Sequence, residues 1–145
     1  MCYNVNTMGR IMALDVGDVR IGIAVSDLTG IIANPLETYT RTGNRERDAK
    51  YIVDLAKEKE VTRFVSGLPL GLNGKENEQT LKTREFIAAI NEICDIPVDY
   101  LDERFTTLSA ERVLIQGNVR REDRKKVIDK VAATIILQNY LDSKR

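Results

Sequence analysis

The 145-residue chain sets 22 Lys and Arg against 22 Asp and Glu, so it has no global field that draws in polyanions, and any nucleic-acid contact must come from a local basic patch. Its two cysteines, Cys2 and Cys94, are too few for a disulfide framework or a four-cysteine zinc site. It has no histidine, which removes Ser-His-Asp and Cys-His nucleophile systems, histidine zinc sites and histidine general bases.

In chain order, residues 1–7 are polar and lack the charged and apolar regions of a secretory signal. They are expected to form a flexible extension to a single cytosolic domain over residues 8–145. No apolar run approaches the roughly 20 residues of a membrane span. Residues 10–16 read as a strand running into the turn at Gly17, and residues 20–26 as its hairpin partner. Residues 31–40 are β-rich, with Pro35 marking an edge or a bulge.

Ala49, Ile52, Val53 and Ala56 fall at helical spacing within residues 45–58. A short buried strand at 62–66 leads into the loop Gly67 to Gly74. The next helix is expected over 76–94, with Phe86, Ala89, Ile90 and Ile93 as its core stripe and Cys94 as a packed thiol. A strand at 97–101 ends in Asp102-Glu103. Thr106, Thr107 or Ser109 can cap a helix through Gln116, stopped by Gly117, and a last helix covers about 123–141. The order β-β-β-α-β-α-β-α-α predicts an α/β domain. Its mixed five-stranded sheet is a three-strand meander followed by two parallel crossover strands, flanked by helices.

Three carboxylates stand out by position. Asp15 ends the first strand and Glu103 the last, and ligands of open α/β sheets gather at the carboxyl ends of the strands. Read singly, Asp15 is equally a turn residue and Glu103 an ordinary surface charge. Asp129 sits in a helix otherwise lined by Ile128, Val131, Ala132, Ala133, Ile135 and Ile136, so it needs a cationic or hydrogen-bonding partner, such as Lys125 or Lys126. Ala132 and Ala133 would let that helix approach the sheet closely. If the three converge, they form a hard-oxygen site suited to Mg²⁺ or Mn²⁺, with two ions as the arrangement that serves phosphodiester cleavage.

Arg120, Arg121, Arg124, Lys125 and Lys126 form a basic run immediately before Asp129 and are candidate phosphate contacts, although such a run is commonly a solvated face. Arg20 is a further candidate. The Gly67 to Gly74 loop lacks the Gly-Lys-Ser/Thr ending of a P-loop and reads as readily as a plain crossover.

Four ordered segments carry a family resemblance. They are Leu14-Asp15-Val16-Gly17-Asp18-Val19-Arg20-Ile21-Gly22, then Gly67-Leu68-Pro69-Leu70, then Asp102-Glu103-Arg104-Phe105-Thr106-Thr107, and Asp129-Lys130-Val131-Ala132-Ala133. Together they resemble the YqgF/RuvX family of Holliday-junction resolvases and pre-16S ribosomal RNA nucleases, over nearly the whole chain from Met8. The resemblance implies a ribonuclease H-like fold and acidic site residues at Asp15, Glu103 and Asp129. It implies a metal-dependent endonuclease acting on structured nucleic acid, with 5′ processing of pre-16S ribosomal RNA ranked first and four-way DNA junctions second. A non-catalytic RNA-binding factor in ribosome assembly is the alternative outside enzymes. Whether the protein acts as a monomer or a homodimer stays open. An actin-like or sugar-kinase ATPase also begins with Asp-x-Gly and a hairpin, but needs two such domains.

Overall fold

The computed structural model of the chain describes residues 9–102 and 121–144, the latter without the side chains of 121–127. Five strands form one mixed sheet in the order β3-β2-β1-β4-β5. β1 (Arg10–Val16), β2 (Arg20–Ser26) and β3 (Ala33–Thr40) are the antiparallel meander. β4 (Val61–Leu68) and β5 (Val98–Asp102) extend it in parallel with β1. Helices α1 (Arg45–Glu58) and α2 (Glu78–Ile93) make the crossovers, and α3 (Arg121–Ser143) closes the described chain.

The hairpin between β1 and β2 turns tightly because the Gly17 N–H donates to the Arg20 carbonyl at 2.9 Å. A Cβ at Gly17 would stand 2.7 Å from that same oxygen, so a side chain there would open the turn. β3 begins at Ala33, two residues later than the sequence predicts. The Asp27 carboxylate accepts the N–H groups of Ile31 and Ile32 at 2.9 and 3.3 Å, which holds that stretch in the turn. Pro35 lies on an edge strand, and the register shift there leaves Leu36 as the extra residue, since Ala24 pairs with Pro35 and Ile23 with Glu37.

Asn44 caps α1 by accepting from Arg47 N at 3.0 Å, and Ala49, Ile52, Val53 and Ala56 are buried as their spacing predicts. α2 starts two residues later than predicted, because Asn77 and Thr80 form a reciprocal capping box. Phe86, Ala89 and Ile90 are buried, but Ile93 is 47 % exposed. Thr80, Thr83 and Ile87 complete the stripe instead, so the buried face is rotated towards the helix start. Cys94 is half-buried against the same core. The helix expected between 106 and 116 and the extension at 1–7 lie outside the described residues. No helix among the described residues is long and apolar enough to cross a membrane.

The sheet separates two unlike layers. Met12, Leu14, Val16, Ile21 and Ile23 pack with α1 and α2, and each such buried side chain contributes roughly 1.5–3 kcal/mol. On the other face, Ala13 and Ala24 meet Ala133, Ile136 and Leu137 of α3, with Val65 beside them. Small residues on this second face bring α3 close to the strands.

Candidate active site

Strand alternation decides which way Asp15 faces. Its neighbours Leu14 and Val16 belong to the α1/α2 layer, whereas Ala13 belongs to the α3 layer, so Asp15 lies on the α3 face. Gly22 is its cross-strand partner and shares that face with Arg20 and Ala24. The α3 main chain rests on Gly22: a Cβ there would fall 1.9 Å from the Asp129 carbonyl oxygen. Ala132 and Ala133, one turn further on, are fully buried. Asp129 therefore enters the sheet surface beside the strand pair that carries Asp15.

Arg20 Nε donates to Asp129 Oδ2 at 2.7 Å, with the two side chains 27 % and 21 % exposed. The cationic partner that Asp129 requires thus comes from β2, although the side chains of Lys125 and Lys126 lie outside the described residues. Arg20, read from sequence as a phosphate contact, is engaged with a carboxylate. Burial pushes the Asp129 carboxyl above its ordinary range, more than the Arg20 hydrogen bond and charge lower it.

On β5, Tyr100 packs in the α1/α2 layer and Leu101 in the α3 layer, so Asp102 falls on the face away from Asp15. Glu103 and Arg120 lie outside the described residues. Arg121, Arg124, Lys125 and Lys126 belong to the first turns of α3, with side chains outside them. β4 separates β1 from β5, so Asp15 and the end of β5 are two strand spacings apart, about 10 Å. Gly67, opposite Leu101 and on the face of Val65, puts no side chain into that gap. Among the described residues no group of three Asp, Glu, Cys or His side chains stands close enough to hold a metal ion. Asp15 and Asp129 are hard oxygen donors on one face, a donor chemistry that fits Mg²⁺ or Mn²⁺ and to which Glu103 would add.

The turn that follows Asp15 is clamped from behind. Arg41 N donates to Val19 O at 2.8 Å and Arg41 Nη1 to Gly17 O at 3.0 Å. Arg41 is held in turn by Asp48 at 3.2 Å and by the Phe86 ring, 4.8 Å from its guanidinium carbon. Asp48 is fully buried and also accepts from Tyr39, Thr42 N and Thr42 Oγ1 at 2.8, 3.0 and 2.9 Å. Burial alone would raise its carboxyl, but these hydrogen bonds outweigh it and hold the group below the usual carboxylate range. Sequence reasoning missed this pair, although Asp48 stands four residues before Ile52 and so on the core stripe. A cleft of about 810 Å³ opens beside the clamp, lined by Asp18, Thr42, Asn44, Lys82 and Glu85 among others, on the side of the turn away from the carboxylates.

The segment between β4 and α2 leaves the same sheet end. Asn77 Oδ1 already accepts the Thr80 N–H at 3.1 Å, and Glu78 adds negative charge to the first turn. That helix start is therefore a poor phosphate cradle.

Residues 9–143 match the RuvX family, described as Holliday junction resolvase. A Clostridioides difficile protein named "Putative pre-16S rRNA nuclease" is 47 % identical over 136 residues, 94 % of this chain and 96 % of that protein. A Roseiflexus protein of the same name is 45 % identical over 137 residues, again 94 % and 96 %. Among solved structures, Thermus thermophilus RuvC in complex with a Holliday junction substrate superposes with a TM-score of 0.59 at 13 % identity, covering 94 % of this chain and 95 % of RuvC. The shared architecture is the ribonuclease H-like fold.

Proposed function

The chain belongs to the RuvX family, and from that premise we propose that it is a metal-dependent endonuclease of structured nucleic acid, acting in 5′ processing of pre-16S ribosomal RNA. The observation that carries this reading is the meeting of Asp129 with the Asp15–Gly22 strand pair on one face of the sheet. Two carboxylates directed to one site repel each other unless cations stand with them. Arg20 supplies one positive charge, and Asp15, Asp129 and Glu103 would hold Mg²⁺ or Mn²⁺ to supply the rest. Two bound ions would activate water and offset the charge developing on the reacting phosphate.

The chain's own residues account for the remaining requirements. Arg20 orients the Asp129 carboxylate, and the Arg41 clamp fixes the turn after Asp15. The run Arg120, Arg121, Arg124, Lys125 and Lys126 precedes Asp129 and would position the phosphates on either side of the cleaved bond. A cytoplasmic setting accords with that substrate. The family description favours cleavage of four-way DNA junctions as the second reading.

The test is Mg²⁺- or Mn²⁺-dependent cleavage of a structured pre-16S RNA, with a four-way DNA junction alongside and Asp15→Asn as control. Cleavage that disappears in the variant supports the site and names the substrate. Folded, metal-loaded protein that binds the RNA but cleaves neither substrate would replace the enzyme reading with an assembly-factor role.

A further inference from the structure

The turn between β1 and β2 has a site residue at each end. Asp15 stands just before Gly17, and Arg20, which holds Asp129, follows Val19. The turn itself is little covered: Val19 is 59 % exposed, and Asp18 reaches Lys82 only at 3.7 Å in an exposed pair. A surface pair of that kind restrains little. Beyond the hairpin's own bond from Gly17 N to Arg20 O, the hold on the turn among the described residues comes from Arg41, which donates to the carbonyls of both Gly17 and Val19.

Arg41 is fixed in its turn. Its Nε meets Asp48 Oδ2, its guanidinium lies over the Phe86 ring, and Nη1 is thereby aimed at Gly17 O. The Asp48 oxygens have separate partners, Oδ1 accepting from Tyr39 and Thr42 and Oδ2 from Arg41. A buried ion pair can often be replaced by apolar packing with no loss of stability. Apolar packing could not, however, offer N–H donors to the carbonyls on both sides of an exposed turn.

We propose that Arg41 and Asp48 are positioning residues of the metal site: through the carbonyls of Gly17 and Val19 they set the separation of Asp15 from the Arg20–Asp129 pair. This inference rests on the metal-dependent nuclease reading above.

Two variants loosen the clamp selectively. Asp48→Asn keeps an acceptor for Tyr39 and Thr42 but turns an N–H group on Arg41. Arg41→Lys keeps the charge and loses the fork that reaches Asp48 and Gly17 together, and it carries the test if Asp48→Asn does not fold. Ile90→Ala, in the core of α2, is the control that loses stability by packing alone. Each full-length protein, shown to be folded by circular dichroism, is titrated with Mn²⁺ by calorimetry and assayed on the pre-16S RNA and the four-way junction. The clamp variants should bind Mn²⁺ about tenfold more weakly and lose about tenfold or more in kcat, with KM for the nucleic acid nearly unchanged. Ile90→Ala should bind Mn²⁺ as the native protein does. Clamp variants that weaken no more than Ile90→Ala would overturn the positioning role and leave the nuclease reading intact. Native protein that binds Mn²⁺ but cleaves neither substrate would overturn the nuclease reading, with the metal titration still deciding the clamp. Native protein that binds no Mn²⁺ would overturn both.

Discussion

The carbonyl oxygen of Asp129 occupies the place a side chain at Gly22 would need, 1.9 Å from the position of its Cβ. One glycine on β2 thus sets how far α3, the last helix of the described chain, can descend, and with it where the Asp129 carboxylate lies. Gly22→Ala should lower stability by about 1–3 kcal/mol through overpacking. On the proposed function it should lower cleavage far more than that loss of stability accounts for, because a carboxylate that is to hold the metal is misplaced for chemistry when displaced by about an ångström. Urea unfolding and turnover measured on the same preparation separate the two effects. Equal, small losses in both would show that the close approach serves packing alone.

Arg20 and a divalent cation would neutralise the same carboxylate. Removing the guanidinium by Arg20→Ala should destabilise the metal-free protein by about 1–3 kcal/mol, since Asp129 is left half-buried without its partner. Mg²⁺ should then raise the melting temperature of the variant more than that of the native protein, because the ion binds the folded site and supplies the missing charge. Equal shifts in the two proteins would place the ion elsewhere.

The elements were legible because their periodicities are local. Ala49, Ile52, Val53 and Ala56 declare α1, and Pro35 declares an edge strand with a bulge. Boundaries moved where side chains bonded backbone that periodicity does not register: Asp27 delays β3, and the Asn77–Thr80 box delays α2. Of the site, the strand-end position of Asp15 and the apolar setting of Asp129 were visible in the residues themselves. Its pairing was not: Arg20 and Asp129 lie 109 residues apart and meet only through α3 packing on β2. Arg41 and Asp48 escaped notice for a related reason, since a buried charge pair looks like two surface charges until the topology closes.

Asp48 gives a pH dependence of known sign. Its carboxyl is held below its unfolded value, so its contribution to stability is present above about pH 4 and lost as pH falls through the depressed folded value. Asp48→Asn should cost about 3–5 kcal/mol at neutral pH, because Arg41 loses its buried partner. That difference should shrink on acidification as the native protein surrenders the same interaction. Denaturant unfolding at neutral and acid pH checks it; a difference independent of pH would assign the loss to packing and not to charge.

The basic run is distinguishable from a solvated face by salt. Every cation withdrawn from a phosphate should reduce the slope of log affinity against log salt by about 0.9 on duplex and 0.7 on single strands. Arg120, Arg121 and Arg124 changed together to Ala should therefore weaken binding most at low salt and flatten its salt dependence, while Asp15→Asn leaves the slope nearly as it was. The contrast matters because both variants are expected to impair cleavage on the proposed function, one by weakening the hold on substrate and the other at the carboxylates. An unaltered slope in the triple variant would remove these arginines from the interface, and leave the nucleic acid to be held by other parts of the chain.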